Sequence, residues 1–251
     1  MTIGVLCAIP DELASFTELM GDVVHTEVAQ WTFATGSIDG HRVVAAESGM
    51  GKVNAATATT LLINRFGCDA VIFTGVAGGL SPELAIGDIV VAEKIVAMDS
   101  GIIEDEQLSL YQPGHVRFFN PTDELGFSVD ANLLGRVQRK LSSVLLPFLD
   151  AGAGGQDRAP LITFGTIVSG DAYLHCDATR MRLHQDLGGS AIEMEGAAVA
   201  QVCAAFGVPW LVIRALSDLA GHDPDIDFTL YTTQVAHAAV HIVHSLLPIL
   251  A

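Results

Sequence analysis

Short runs of β-branched and apolar residues alternate along this chain with stretches whose apolar positions recur at helical spacing. IGVLCAI at 3–9 reads as a buried strand. Pro10 sets up a helix start, with Asp11 and Glu12 in a first turn where the helix dipole favours acids. Residues 31–48 pattern as a hairpin turning at Asp39-Gly40. KVNAATATTLLINRF at 52–66 predicts a helix closed by Gly67. Strands follow at 69–80, 87–99, 160–171 and 208–218, and helices at 178–187, 196–207 and 230–250. Residues 100–159 give no clear period and end in AGAGGQDRAP, a loop. Near-continuous apolar strands interleaved with helices predict an α/β fold, one three-layer αβα domain around a central mixed sheet. Residues 100–159 stand out in it as an insert-like region.

In such sheets chemistry collects where strands end. The polar residues there are Glu12, Glu47-Ser48, the glycines after Thr74, Ser169-Gly170-Asp171 and Ser217-Asp218. A further polar place is SAIEMEGAAVA at 190–200, where Glu193 and Glu195 flank Met194 in an otherwise small and apolar run. Burying even a neutral polar group without a partner costs roughly 2–7 kcal/mol, so two carboxylates at the edge of a core call for a reason. Each acid also has a bland role. Glu12 and Glu195 could each favour a helix N-terminus, and Asp218 could cap a turn. Glu193, one strand pleat from Glu195, is expected to point elsewhere and serve structure.

Composition narrows the function classes. The 251 residues are half hydrophobic, enough for one sizeable core. With 29 acids against 12 bases the net charge is −17. A surface this acidic repels phosphate backbones and anionic lipid, which argues against nucleic-acid and membrane partners. No stretch reaches the ~18 apolar residues of a membrane span, and no leader precedes the first strand, so a cytoplasmic protein is expected. Cys7, Cys68, Cys176 and Cys203 lack paired spacing and read as small buried hydrophobes. His237, His241 and His244 share a helix face, and Asp223, Asp225 and Asp227 share a loop. Surface or packing roles are expected for the histidines and a solvated loop for the acids, without metal.

ESGMGKVNAA at 47–56 places Gly49 and Gly51 between strand and helix. It permits three readings: a tight turn needing positive φ, a backbone surface for a small ligand, or a dinucleotide fingerprint. The last is incomplete, because Asn54 stands at the third glycine position. TGVAGG at 74–79 could likewise offer backbone N–H groups to a polar ligand.

Several segments together resemble the nucleoside phosphorylase/nucleosidase superfamily, most closely its bacterial 5′-methylthioadenosine/S-adenosylhomocysteine nucleosidases. They are IGVLCAIPDEL at 3–13, ESGMGKVNAA, TGVAGGL at 74–80, GDIVVA at 87–92, VSGDAYL at 168–174, AIEMEGAAVAQVC at 191–203 and IRALSDLAG at 213–221. The resemblance implies an N-glycosyl hydrolase that cleaves 5′-modified adenine nucleosides, working without a cofactor as a homodimer. It implies Glu12 as the base that activates water and Glu195 as the carboxylate gripping ribose hydroxyls over Met194. Asp218, helped by Ser217, would protonate the adenine ring, Tyr173 would stack on it and the Leu174 backbone would read its edge. Arg214 would stand near the water and the acids, and Phe228 would wall the 5′ group. Ile9, Met50, Val76, Gly78 and Ala220 would line the same pocket.

The residue types suit this chemistry. Cleavage creates an oxocarbenium-like sugar and an electron-rich purine, so an acid at the base and a carboxylate at the sugar both help. An aspartic acid must then hold its proton near neutrality, far above its usual ~3.9, and the apolar strand LVIRALSD offers desolvation. Water is expected as the nucleophile rather than phosphate. Phe73 stands where phosphorylases of this superfamily commonly carry an arginine, and Glu12 would repel a dianion. Two departures from the family are Val76, where nucleosidases often have serine, and residues 100–159, which match poorly. The alternatives are a phosphorylase, a non-catalytic nucleoside-binding protein on the same fold, and, from the glycine turn alone, a dinucleotide oxidoreductase.

Overall fold

The computed structural model describes residues 1–8, 10–146, 148, 158–221 and 228–250. Among these residues a ten-stranded mixed sheet carries the molecule. At its centre lie β1 (Thr2–Cys7), β5 (Ala70–Gly79) and β12 (Trp210–Asp218), joined in parallel. β1 is apolar and buried throughout, as a strand covered on both faces must be. β4 (His41–Glu47) continues the sheet parallel to β1, and β3 (Trp31–Ile38) and β2 (Gly21–Val28) extend it antiparallel. The β3–β4 turn has positive φ at both Asp39 and Gly40, matching the Asp-Gly signal in the sequence. On the other side come β6 (Ile89–Ala97), antiparallel to β12, then β10 (Ile162–Ser169) and β11 (Gly189–Glu193).

The helices form two groups. α1 (Pro10–Thr17) and α3 (Ala131–Leu141) contact α6 (Phe228–Leu250), while α2 (Lys52–Asn64) packs on α5 (Gly196–Phe206). α4 (Asp177–Leu187) lies against β10 and β11. Outside residues 100–159 the elements agree with the sequence reading to within a few residues, except for β2 and β11, which the pattern did not separate. The region 100–159 holds regular elements among its described residues. It contains a hairpin of β7 (Gly101–Glu104) and β8 (Gln107–Leu110), the short β9 (Phe127–Ser128) against β6, and α3, capped by the Asp130 side chain on the Leu133 amide.

One feature of the topology positions the site. β11 pairs in parallel with β10 and also, antiparallel, with the end of β5, matching Ile192 to Gly78 and Ala191 to Gly79. The sheet therefore curls back on itself and brings the β11–α5 junction against the glycine end of β5. β1, β4, β5 and β12 run parallel, so their C-terminal ends open onto the same place.

Candidate active site

Glu12, Glu195 and Asp218 line one cavity of about 140 Å³, together with Tyr173 and Leu174. Residues 206 positions apart in the chain thus converge because parallel neighbours end together. Glu12 stands in the first turn of α1, at the end of β1. Its two oxygens accept from the Ala8 amide at 2.9 Å and the Val76 amide at 3.0 Å, which fixes the carboxylate in place. Asp218 ends β12 where the register against β5 shifts between Leu216 and Asp218, an irregularity of the kind that re-aims side chains. It accepts from the Ala220 amide at 2.7 Å and from the Ser217 hydroxyl at 3.0 Å. Asp218 is half-buried, at the end of the apolar strand rather than inside it.

Of the two glutamates around Met194, it is Glu193 that takes the structural role, including the helix-capping one open to Glu195. Glu193 caps α5, accepting from the Gly196 amide at 2.7 and 3.0 Å and from the Glu195 amide at 3.1 Å. It also pairs with Arg214 and lines the cavity, so the expectation that it points elsewhere is corrected. Glu195 caps nothing with its side chain. Its Oε1 accepts from the Gly51 amide at 2.7 Å, and its Oε2 lies 3.4 Å from Arg214 Nη2. Both glutamates are 5 % exposed or less.

Arg214 is the counter-charge for this group and stands beside the acids, as the sequence reading had it. It is fully buried and does not line the cavity; it lies beneath the carboxylates. Its guanidinium stacks 4.0 Å from the Phe73 ring centroid. Burial alone would lower its proton affinity, but Glu193, Glu195 and Glu12 together raise it, so it stays charged. Gly75, paired with Arg214 across β5 and β12, is needed on steric grounds. A Cβ there would collide with Arg214 Nη1 and stand 2.8 Å from Glu12 Oε1. Burial and then the neighbouring Glu193 push the Glu195 carboxyl up to about 7, against the opposing pull of Arg214 and the Gly51 amide. A single guanidinium beside three carboxylates leaves the group under-neutralised.

Tyr173, Leu174, Met194, Met50, Val76, Gly78 and Ser217 all border the cavity. Gly78 lies so close to Asp218 that a Cβ would sit 3.0 Å from Oδ1. Burial and the Asp218 charge raise the Tyr173 hydroxyl's proton affinity. Ala220 is a correction: it is not among the residues lining the cavity but packs behind them with Leu80 and Ile192, and it acts through its amide on Asp218. Ile9 and the Phe228 side chain lie outside the described residues, as do Asp223, Asp225, Asp227 and the His237 side chain. Among the described residues no group of three His, Cys, Asp or Glu is placed to hold a metal. His244 pairs with Asp39 at 2.7 Å. Cys176, expected to be buried, is exposed at the start of α4.

The geometry accounts for the match to known proteins. A family model of the phosphorylase superfamily matches residues 2–248. The chain belongs to the phosphorylase superfamily. Among curated members, the 5′-methylthioadenosine/S-adenosylhomocysteine nucleosidase of Mycobacterium bovis is 53 % identical over 250 residues, covering 100 % of this chain and 98 % of the relative. A solved structure of the Colwellia psychrerythraea 5′-methylthioadenosine/S-adenosylhomocysteine nucleosidase, in complex with adenine, superimposes with a TM-score of 0.83 at 31 % identity. It covers 100 % of this chain and 96 % of that one. The Streptococcus pneumoniae enzyme with a transition-state inhibitor gives 0.83 at 29 % identity, with complete coverage of both chains. Glu193 as the α5 cap escaped sequence reasoning. The signal was available: an acid three residues before a helix's first small residues is placed to reach its free amides.

Proposed function

We propose that this chain hydrolyses the N-ribosidic bond of 5′-modified adenine nucleosides, 5′-methylthioadenosine, S-adenosylhomocysteine and 5′-deoxyadenosine, giving adenine and the free ribose derivative. The observation that carries this reading is the convergence of Glu12, Glu195 and Asp218 on a single cavity beside Tyr173. The nucleosidase relatives and the structural neighbours holding adenine and an inhibitor support it.

In this mechanism the adenine stacks on Tyr173 and covers Asp218, which donates its proton to a ring nitrogen. The glycosidic bond breaks with its electron pair on the purine, and positive charge grows on the sugar. Glu195 accepts hydrogen bonds from the ribose hydroxyls and faces that charge. Water attacks the anomeric carbon as Glu12 takes its proton. Asp218 recovers a proton from solvent when adenine leaves. A positioned acid or base contributes about 10²–10⁴-fold. Water is favoured over phosphate because Arg214 is buried beneath carboxylates and stacked on Phe73, and among the described residues no guanidinium lines the cavity for an anion to meet.

The test is adenine release from 5′-methylthioadenosine with and without inorganic phosphate, using wild type and Asp218→Asn. Phosphate-independent turnover and a loss of at least 100-fold in the variant are expected, in line with the contribution of an acid. Formation of 5-methylthioribose-1-phosphate would make the chain a phosphorylase, and normal turnover in the variant would remove the acid role. We further propose a cytoplasmic homodimer. Met50, Val53, Phe118 and Phe119, each at least 65 % exposed, are large apolar side chains of the kind a partner surface covers. Among the described residues no helix is long and apolar enough to cross a membrane. A monomeric mass in sedimentation would refute the dimer.

A further inference from the structure

Lys52 ends the GMGK run, and the catalytic reading leaves it without a task. Its ammonium lies 2.5 Å from Asp99 Oδ1 and 4.0 Å from Asp171 Oδ2. Asp171 Oδ1 accepts from the Lys52 amide at 2.8 Å, and Asp99 Oδ2 accepts from the Asp171 amide at 2.9 Å. The three side chains therefore tie together three segments: the β4–α2 loop, the turn after β6 and the loop after β10. Two of these segments enter the cavity. The residue before Lys52 is Gly51, whose amide holds Glu195. Two and three residues after Asp171 come Tyr173 and Leu174. Gly51 has φ +91°, which a non-glycine residue rarely adopts, and a Cβ there would stand 3.2 Å from Asp171 Oδ1. The loop is thus closely fitted to the acid it meets.

We propose that Lys52, Asp99 and Asp171 are positioning residues that hold the Gly51 amide on Glu195 and set the distance between Glu195 and the Tyr173 loop. Surface ion pairs such as these contribute about 0–1 kcal/mol to stability. A purely structural role would therefore leave little trace, and the variants should fold. A displacement of about 1 Å at a catalytic group can cost about 100-fold in rate, so the effect on turnover should be larger than the effect on stability. The Gly51 amide favours the ionised form of Glu195. Loosening it moves the acidic limb of the rate profile to higher pH.

The inference rests on the proposed role of Glu195 at the ribose, and the experiment separates the two. Full-length wild type, Lys52→Met, Lys52→Arg, Asp99→Asn and Glu195→Gln are assayed for adenine release from 5′-methylthioadenosine between pH 5 and 9, with melting temperatures measured in parallel. Expected are a loss of about tenfold in kcat/KM for Lys52→Met, an upward shift of its acidic limb, a smaller loss of the same kind for Asp99→Asn and recovery in Lys52→Arg. Melting temperatures should move little. Wild-type kcat/KM with an unmoved limb in Lys52→Met overturns the positioning role while leaving the hydrolase reading intact. A loss that follows melting temperature, without movement of the limb, overturns it as well. Wild-type activity in Glu195→Gln overturns the ribose role of Glu195 and the inference built on it.

Discussion

Glu195→Gln tests what it costs the fold to hold this carboxylate. The amide is close in shape, and its oxygen can still accept from Gly51. What disappears is a charge that is 4 % exposed and beside Glu193. Because its proton affinity is raised in the folded state, from 4.5 to about 7, Glu195 favours folding most when protonated. That contribution is fully present below pH about 4.5, the unfolded value, and is lost as pH rises through about 7. At about 1.4 kcal/mol per pKa unit the loss amounts to about 3 kcal/mol by pH 8. Glutamine does not titrate. Urea unfolding at pH 4.5, 6 and 8 should therefore show near-equal stabilities at the lowest pH and a variant more stable by up to about 3 kcal/mol at the highest. The same substitution should remove most turnover. A Glu195→Gln protein less stable than wild type at pH 8, or a stability difference that does not change with pH, would refute the account of a strained carboxylate kept for function.

Arg214→Met leaves Glu193 and its neighbours without their cation. Breaking a buried pair in this way costs about 3–5 kcal/mol, and urea melts should show a smaller loss at pH 5 than at pH 8, since protonation relieves the carboxylates. Gly75→Ala forces a Cβ onto Arg214 and Glu12; overpacking of this kind costs about 1–3 kcal/mol, and the variant should lose activity even where thermal melts show it folded. Asp88, fully buried, accepts 2.7 Å bonds from two nitrogens of Arg158 and further bonds from the Leu161 and Ala85 amides. Burial would raise its pKa, but these donors outweigh it and lower it. The stability Asp88 gives is present above its unfolded pKa near 4 and lost as pH falls through the lower folded value. Asp88→Asn should therefore cost about 2 kcal/mol at pH 7, with the gap from wild type closing only in strong acid.

The readability of the chain followed the strength of its local signals. β5 and β12 are long apolar runs, and the Asp39-Gly40 turn states its geometry in two residues, so their places were legible. β11 is a five-residue strand whose pairing with both β10 and β5 is a tertiary fact that no period encodes. α3 was missed although Leu133, Val137 and Leu141 recur every four residues behind the Asp130 cap; the polar residues around them hid the stripe. At the site, residue identity was legible and depth was not. Arg214 was read as standing near the acids, and it does; its full burial beneath them was not legible, because it depends on its strand neighbour Gly75 leaving room for the guanidinium to run inward. Asp99 could not be read as a partner of Lys52, since 47 positions and two strands, β5 and β6, separate them in the chain.

The charge count of the cavity suggests why a hydrolase would be built this way. Glu12, Glu193 and Glu195 surround the Arg214 guanidinium, so among the described residues the carboxylates outnumber the cation they share, and Glu195 responds by holding a proton to higher pH. A neutral nucleoside does little to change that balance. The sugar gains positive charge only as the glycosidic bond breaks, and in a buried site that charge meets carboxylates already fixed by the Ala8, Val76 and Gly51 amides. The interaction is therefore stronger in the transition state than with bound substrate, which is the condition for accelerating the chemical step. A phosphate dianion brought into the same surroundings would meet repulsion from the carboxylates, and the guanidinium it needs is already engaged by Glu193 and covered by Phe73. The arrangement that favours the ribosyl cation is thus the one that excludes phosphate, so restoring phosphorolysis would require an unburied cation on the cavity wall and the loss of a carboxylate together.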